Sequence, residues 1–401
     1  MSYFVRKISK ISPLSFWLSP LLSFITACSN LSSWLNGVTF ALFYGFFGYA
    51  HSFIDPRPDA YRKMISFVSF PSTISYEDIT KQYVNGHLSD VIEKLLYVFV
   101  RSFTTDAHIL LLIVGIIGGF FLYLVFRKII SYCGTDCGRG FYILIFLMII
   151  LHSPAVIGGI RFFLAFPIFL YGTFLYLIDK KSIGIIWLLI SPLAHFSFIL
   201  SILLVVFLRL YQRDINALWW CAISLCIISM FLNATNFSQL FSSINVGEYN
   251  QTISNRAELY ASAKSIARFN ESLTTHLMKI QQYVTRIFIV ILLFTIKRNG
   301  MQYSMNAFDL NLYRITLAFL SFGYFFISFN VVGERYLLPG IYLTLILLYR
   351  LCCNHESNIL IRLLRYSFIF FVFNIGWVFF NTYVEIDMRY FIFPLPLFII
   401  S

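Results

Sequence analysis

The sequence predicts an all-α, polytopic integral membrane protein with about 10–12 transmembrane or re-entrant helices and two long periplasmic segments. Two observations carry this prediction. Of the 401 residues, 59% are hydrophobic and only 12% are charged, and the mean hydropathy is +0.78. Apolar runs of about 20 residues, the length that a bilayer-spanning helix needs, recur along the whole chain. Because these runs continue from one end to the other, we expect residues 1–401 to form a single membrane domain.

The apolar stretches are separated by polar loops of very different length. In order, the stretches run over 12–29, 35–53, 106–126, 141–159, 161–178, 183–208, 215–232, 284–296, 312–331, 335–350 and 366–384. Two long polar segments interrupt them, at 54–105 and 233–283. The first stretch runs straight into further spans, so no cleavable signal peptide is expected.

The net charge of +12 has a topological meaning, and we do not interpret it as a nucleic-acid-binding surface. Basic residues collect in the short loops, at Arg127/Lys128/Arg139, Lys180/Lys181, Arg209/Arg213, Lys297/Arg298 and Arg350/Arg362/Arg365. The positive-inside rule assigns these loops to the cytoplasm and both long segments to the outside.

Two stretches decide whether all the basic loops can lie on the cytoplasmic side. Basic clusters flank 183–208 on both sides, so we expect it to form two short half-helices or a re-entrant hairpin, and Pro192 in its middle favours a break. The basic residues near the N-terminus would lie outside if 12–29 and 35–53 both span. Either 12–29 dips into the bilayer without crossing, or the N-terminus departs from the rule.

Arg161 is the most informative residue of the chain. Between Arg139 and Asp179 it is the only Asp, Glu, Lys or Arg. A charge in a bilayer is costly, so such residues usually face a polar cavity and mark a functional site. Guanidinium also grips phosphate in a planar fork. The alternative is an arginine that only snorkels to the outer surface.

Three further outward-facing places hold candidate site residues. The segment GYAHSFIDPRPDAYRKM carries Asp55, Arg57, Asp59, Tyr61 and Arg62. Alternatively, it is an ordinary juxtamembrane loop. His195 in PLAHFSF has the chemistry of a base or a phosphate ligand, or is a satisfied structural histidine. Glu334 and Arg335 lie between two apolar spans, where Arg335 alternatively only pairs with Glu334.

Other patterns concern packing and redox state. Gly115 and Gly119 form a G-x-x-x-G that predicts close helix packing. Residues 89–103 carry an apolar stripe at helical spacing, which is typical of a helix lying flat on the membrane surface. The seven cysteines are odd in number and scattered along the chain, so we expect no disulfide framework.

Four of these motifs, in their order along the chain, resemble a known family. They are D-x-Y after an early span (Asp59/Tyr61), I-R-F-F-L-A before a Lys-Lys turn (Arg161/Ala165), A-H-F-S (His195/Ser197) and G-E-R-Y (Arg335/Tyr336). The set is similar to that of the O-antigen and exopolysaccharide polymerases (Wzy-type, EpsG-like branch). The resemblance spans roughly residues 40–350, with 158–201 as its most specific block.

The resemblance implies a glycosyltransferase on the outer face of the bacterial inner membrane. It would move a growing glycan from one undecaprenyl-diphosphate carrier to the terminal sugar of a second lipid-linked repeat unit. The expected partners are the lipid-linked donor and acceptor glycans, membrane lipid and a chain-length regulator, and no nucleic acid. No cofactor and no metal are expected, because guanidinium groups stabilise a diphosphate leaving group by themselves.

The site roles follow from that chemistry. We expect Arg161 and Arg335 to hold diphosphate, and His195 to bind phosphate or to act as the base that takes the acceptor proton, a role for which Asp59 is also the right type. The residues expected to bind substrate are Arg57, Asp59, Tyr61, Arg62, Glu334 and Tyr336.

Two other functions remain open on sequence alone. A flippase or secondary transporter for the same glycan requires charges along a central cavity and two related halves, whereas here the charges concentrate on outer loops. An O-antigen ligase-like membrane transferase uses the same Arg and His chemistry on the outer face, so the sequence distinguishes it only weakly from a polymerase.

Overall fold

The computed structural model describes residues 15–54, 59–85, 88, 90–133, 139–210, 214–229, 273–327, 331–354 and 357–400. In chain order the α-helices are α1 Pro20–Cys28, α2 Trp34–Tyr49, α3 Asp59–Val68, α4 Tyr76–Val84, α5 Val91–Arg101, α6 Ala107–Cys133, α7 Arg139–Leu151, α8 Ile160–Thr173, α9 Gly184–Ala194, α10 Phe198–Leu210, α11 Ile215–Ile228, α12 Leu273–Arg298, α13 Met301–Ser304, α14 Ala307–Phe326, α15 Val331–Asn354, α16 Asn358–Arg365, α17 Ser367–Phe370, α18 Val372–Glu385, α19 Arg389–Ile392 and α20 Leu395–Ile400. A 3₁₀ turn at Pro154–Val156 precedes α8, and a π-helical turn at Phe174–Ile178 extends it. Within the described ranges, β pairing is confined to one isolated bridge between His51 and Ile386.

The predicted all-α, polytopic membrane fold is confirmed. Within the part of the chain that the structure describes, four helical segments are long and apolar enough to cross a membrane, at Ala107–Cys133, Ile160–Ile178, Lys279–Arg298 and Gly333–Asn354. Shorter apolar helices run over Gly140–Val156, Gly184–Ala194, Phe198–Leu210 and Ile215–Ile228. The number of about 10–12 transmembrane or re-entrant helices stays a prediction.

The chain divides into two compact units. The first comprises residues 1–138, 148–202 and 376–401, and the second comprises 139–147 and 203–375. The expectation of a single membrane domain stays a prediction, and each unit is described by itself.

Glycines set the packing of the first unit. A Cβ on Gly115 of α6 would lie 2.3 Å from the carbonyl oxygen of Tyr44 in α2, and one on Gly48 would lie 2.3 Å from that of Leu111. A Cβ on Gly119 would lie 2.7 Å from Cβ of Tyr44. The two backbones touch only because these side chains are absent, so the predicted packing role of the G-x-x-x-G is confirmed.

Helix α8 continues through Pro167 because another group satisfies the backbone there. Proline has no N–H, so the carbonyl oxygen of Phe163 loses its usual helical partner. The Nε2 of His152, 3.1 Å away, donates to this oxygen instead. The His152 ring also stacks on the Phe163 ring with 5.1 Å between centroids.

The apolar stretch 183–208 forms two helices, α9 and α10, as predicted, but the break does not fall at Pro192. The proline lies inside α9, where the Ser191 hydroxyl donates to the carbonyl oxygen of Leu188 at 2.8 Å and replaces the missing N–H. The chain leaves the helix at His195, whose φ of −150° and ψ of 110° are extended. The sequence correctly predicted two helices and misplaced their junction by three residues.

Helices α3 and α5 pack against each other at one end of the first unit. The Arg101 Nη1 donates to the carbonyl oxygens of Phe67 at 2.9 Å and Val68 at 2.7 Å, which caps the C-terminus of α3. Tyr97 and Val100 of α5 are fully buried, and the Tyr97 ring lies 5.4 Å from that of Phe67. The apolar stripe expected to lie on the membrane surface therefore packs inside the protein.

The opposite end of the first unit carries the short basic loops. Lys128, near the end of α6, pairs with Asp179, directly after the π-helical turn, and Tyr132 donates to the same carboxylate at 2.8 Å. Lys180 and Lys181 follow in sequence. The first unit thus has a basic-loop end and an end built by α3 and α5, which agrees with the charge pattern used to predict topology.

The second unit is built around the helix pair α14 and α15. A Cβ on Gly323 would lie 2.5 Å from Cα of Leu337, so these helices also pack backbone to backbone. Asp309, which is 1% exposed, pairs with Arg350 and accepts a hydrogen bond from Asn354 at 2.7 Å. A buried ion pair thus joins the two helices where α14 begins and α15 ends.

Candidate functional site

Arg161 lies in the first turn of α8, at the end of the first unit where α3 and α5 pack. Gly158 makes this junction possible, since a Cβ there would lie 2.5 Å from the backbone nitrogen of Ala60 in α3. The loop that leads into α8 therefore touches the start of α3. Arg161, in an otherwise apolar stretch, is brought next to the polar segment 54–105.

Asp90 is the first partner of Arg161. Its Oδ2 accepts a hydrogen bond from the Nη1 of Arg161 at 2.6 Å, and its Oδ1 accepts one from the backbone N–H of Phe196 at 2.9 Å. Asp90 occupies the N-cap position of α5 yet makes no capping hydrogen bond there with its side chain. The carboxylate instead joins the start of α8 to the break between α9 and α10.

His195 completes this group. Its Nδ1 lies 3.7 Å from the Oδ1 of Asp90, a distance at which a protonated ring forms an ion pair. The residue is 6% exposed, and its ring lies 6.3 Å from that of Phe162. The structure therefore brings together two of the residues predicted to be catalytic, Arg161 and His195, through a carboxylate that the sequence analysis did not single out.

Glu93 is the second acidic partner. Its Oε2 lies 3.4 Å from the Nε of Arg161, and its Oε1 pairs with Lys63 of α3 and accepts a hydrogen bond from the Tyr97 hydroxyl at 2.8 Å. Asp90 and Glu93 are each only 5% exposed at the side chain, whereas Arg161 is 37% exposed. The guanidinium is thus fixed by two buried carboxylates, on a side chain that is itself partly exposed.

The electrostatics keep both acids ionised. Burial raises the pKa of Asp90, but the His195 ring, the Phe196 N–H and the charge of Arg161 outweigh it and hold the pKa well below its usual value. Burial likewise raises the pKa of Glu93, but Lys63, followed by Arg161 and Tyr97, outweighs burial and holds the pKa below its usual value. Buried charges persist only when paired in this way, so loss of one member leaves another uncompensated.

Sequence reasoning missed Asp90, Glu93 and Lys63. One signal was available: Glu93, Tyr97 and Val100 follow the i, i+4, i+7 spacing of one helix face. An acid on the buried face of an amphipathic helix needs a cationic partner. The identity of that partner, 68 positions away from Glu93 in the case of Arg161, was not available from spacing.

The residues predicted to bind sugar on α3 lie at the protein surface. Asp59 and Arg62 form an ion pair with each other, and their side chains are 61% and 66% exposed. Tyr61 is half-buried. Arg57 lies outside the described residues. An exposed pair of this kind contributes little to stability, and its polar atoms face solvent.

Glu334, Arg335 and Tyr336 lie in the second unit, at the start of α15. The Glu334 carboxylate accepts a hydrogen bond from the Nε2 of Gln282 at 2.6 Å, and Arg335 is half-buried. Tyr336 is 4% exposed, and its ring packs 5.1 Å from that of Phe322. Their roles as diphosphate and substrate ligands stay predictions.

The Arg161 cluster, defined as Arg161, Asp90, Glu93, Lys63 and His195, contains side chains of the types that bind anions and transfer protons. A guanidinium held by two carboxylates is oriented before a ligand arrives, so little reorganisation is needed when negative charge develops. A carboxylate next to an imidazole stabilises the imidazolium that forms when the ring accepts a proton, and this helps the ring to act as a base. Among the described residues, no group of three or more His, Cys, Asp or Glu is arranged to hold a metal ion.

One comparison with known proteins gives a match. A family model described as the EpsG family matches residues 59–395, a range that includes the whole Arg161 cluster. No curated protein and no solved structure gives a significant match. The match covers most of the chain and supports a role of polysaccharide-polymerase type in a membrane. The resemblance seen in the motifs is confirmed, and the chain belongs to the EpsG family.

Proposed function

We propose that the protein polymerises undecaprenyl-diphosphate-linked oligosaccharide repeat units into O-antigen or a similar surface polysaccharide, on the periplasmic face of the bacterial inner membrane. The observation that carries the proposal is the Arg161 cluster, in which Asp90 holds Arg161 and approaches His195. Family membership supports the polymerase class, and the cluster contains the group types that the transfer needs.

At the anomeric carbon, the transfer breaks one C–O bond and forms another. A hydroxyl oxygen of the acceptor's terminal sugar attacks the anomeric carbon of the donor glycan, and the bond from that carbon to the diphosphate oxygen breaks. The electron pair leaves with the diphosphate, which gathers negative charge. Arg161, whose guanidinium is held by Asp90 and Glu93 and whose side chain is partly exposed, is suited to stabilise that charge.

The acceptor hydroxyl loses its proton in the same reaction. His195 is the proposed base, because its ring lies next to the Asp90 carboxylate, which stabilises the imidazolium that results. Arg335 is proposed as a second ligand for diphosphate. The surface residues Arg57, Asp59, Tyr61 and Arg62, together with Glu334 and Tyr336, are proposed to contact the glycan. The reaction as proposed uses no metal ion.

Deletion of the gene, with analysis of the cell-surface glycan, tests the proposal. Loss of a polymerase leaves single capped repeat units, and a plasmid copy of the wild type restores long chains. Loss of a ligase leaves carrier-bound polymer, and loss of a flippase leaves repeat units trapped inside the cell, so either result replaces the proposed function.

A further inference from the structure

A cleft of about 530 Å³ lies in the first unit and has no role in the chemistry described above. Its lining includes the aromatic side chains of Tyr49, Phe53, His108 and Phe398, here called the wall, and the charged side chains of Asp387 and Arg389, here called the rim. Its volume falls within the range of about 300–1,000 Å³ that small-molecule and cofactor sites occupy.

The floor of the cleft is preformed by backbone pairing. The N–H of Ser52 donates to the carbonyl oxygen of Glu385 at 2.7 Å, and the N–H of Asp387 donates to that of Ala50 at 2.8 Å. These bonds flank the bridge between His51 and Ile386. Two segments far apart in sequence are therefore fixed side by side without a ligand, which lowers the ordering cost of binding.

The wall is aromatic. The Phe53 and His108 rings lie 4.7 Å apart, and the Tyr49 ring lies 5.4 Å from that of His108 and 6.2 Å from that of Phe398. The Nδ1 of His108 donates to the carbonyl oxygen of Tyr49 at 2.8 Å, which holds the imidazole in place. Sugar rings present faces of C–H groups, and such faces pack on aromatic side chains.

The rim carries paired charges. The Nη2 of Arg389 donates to the Oδ2 of Asp387 at 2.6 Å, and its Nε lies 2.9 Å from the same oxygen. The side chains are 50% and 29% exposed, so this pair contributes little to stability. It does present donors and acceptors side by side, which matches the neighbouring hydroxyl groups of a sugar.

The cleft lies at the same end of the first unit as the Arg161 cluster. The Tyr44 ring of α2 lies 6.1 Å from the Phe163 ring of α8. From this contact, α2 continues five residues to Tyr49 at the cleft, and α8 begins three residues before Phe163, next to Arg161. Residues 49–54 of the cleft also lead directly toward α3.

We propose that this cleft is a saccharide-binding subsite, which holds part of the glycan while its diphosphate end lies at the Arg161 cluster. The inference rests on the proposed function, because it takes the glycan as the ligand present at this end. Aromatic faces bind the sugar rings, and Asp387 and Arg389 bind hydroxyl groups.

Binding of a glycan that has no diphosphate tests the subsite by itself. The probe is an oligosaccharide of two repeat units, released from the cell's own surface polysaccharide by partial acid hydrolysis. It is titrated against the full-length protein in lipid nanodiscs by saturation-transfer NMR. Replacing both rim charges, Asp387→Asn with Arg389→Gln, should weaken binding by about tenfold or more, since hydrogen bonds to charged groups are lost.

A matched control neutralises another exposed pair in the same unit. Glu77 and Lys81 of α4 lie 2.9 Å apart with side chains 76% and 67% exposed, and Glu77→Gln with Lys81→Gln should bind like the wild type. A second variant, Phe53→Leu, removes a wall ring but keeps an apolar side chain and should bind several-fold more weakly. The thermal unfolding midpoint of each variant shows that the fold is intact.

Three results would overturn the inference: no binding by the wild type, wild-type affinity in the Asp387/Arg389 variant, or equal weakening in the Glu77/Lys81 control. The proposed function is tested by a separate measurement, the extension of lipid-linked repeat units. If the wild type binds the oligosaccharide through the cleft but does not extend lipid-linked repeat units, the subsite stands and polymerisation fails.

Discussion

Asp90 and Arg161, 71 positions apart in the sequence, are joined by a hydrogen bond of 2.6 Å between Oδ2 and Nη1. The other oxygen of the same carboxylate binds the backbone N–H of Phe196. One buried side chain thus sets both the direction of the guanidinium and the shape of the chain break that carries His195. Arg161 and His195, the two residues proposed to carry the transfer, are therefore joined through Asp90.

The first prediction concerns the geometry of Arg161. Arg161→Lys keeps the charge but places all its donors on one nitrogen, so it cannot hold diphosphate with the planar, two-pronged geometry of a guanidinium. We expect Arg161→Lys and Arg161→Ala both to lower the rate of polymerisation about 30- to 1,000-fold, the effect of losing roughly 2–4 kcal/mol of transition-state stabilisation. The rate is measured with purified protein and lipid-linked repeat units.

Membrane abundance and unfolding midpoint are measured alongside, because a misfolded variant would mimic the effect. A well-expressed Arg161→Lys protein that makes full-length polymer would contradict diphosphate binding and would support the alternative that Arg161 only snorkels to the outer surface.

The second prediction concerns Asp90. Asp90→Asn keeps an oxygen for the N–H of Phe196 but removes the charge that faces Arg161 and His195. We expect a stability loss of about 1–3 kcal/mol, below the value for a fully buried pair because Arg161 is partly exposed to solvent. We also expect a slower transfer rate. A double-mutant cycle with Arg161→Gln should give a coupling free energy of about 1 kcal/mol or more, whereas Glu77 with Lys81 should give at most a few tenths. Additive effects of the Asp90 and Arg161 changes would contradict the pairing.

The third prediction is a pH dependence of stability. The pKa of Asp90 in the folded protein lies well below its unfolded value of about 3.9. A lowered folded pKa stabilises the native state above the unfolded pKa, and this stabilisation is lost as the pH falls through the folded value. The unfolding midpoint of the wild type should therefore drop as the pH falls below about 4, and that of Asp90→Asn should drop less. Identical acid profiles of the two proteins would exclude this role for Asp90.

The fourth prediction concerns topology. Reporter fusions near residues 75 and 260 should give a periplasmic signal, and fusions near 135, 181, 298 and 357 a cytoplasmic one, because the short loops are basic. Fusions at 75 and 181 test the first unit directly, since α3 and α5 lie at one end of it and Lys180 and Lys181 at the other. A cytoplasmic signal at 75 would move the Arg161 cluster to the cytoplasmic face and remove the proposed function.

The fifth prediction concerns metal ions. Guanidinium groups supply the positive charge in the proposed transfer, so polymerisation by purified protein should continue in excess chelator. The control is a metal-dependent glycosyltransferase under the same conditions, which should stop. Complete loss of polymerisation that returns with magnesium would show that the account based on arginine is wrong.

The sequence by itself determined the membrane class, the helical fold and the family, and it singled out Arg161 and His195, which the structure places in one cluster. Those features depend on local composition and order. Apolar runs predict helices, and the spacing of Gly115 and Gly119 predicts a packing face. A single arginine in an apolar stretch indicates a polar environment, which often marks a functional site. The break in 183–208 was also predictable, although its position depended on Ser191, which satisfies the backbone at Pro192.

Only the tertiary structure decided which groups meet. Asp90 and Glu93 sit on a helix whose apolar stripe suggested a membrane surface, yet that stripe packs on α3 and turns both acids toward Arg161. The cleft depends on pairing between residues 50–52 and 385–387, from the two ends of the chain. Such contacts follow from the packing of helices distant in sequence, and spacing along the chain records only which face a residue occupies, not what that face meets.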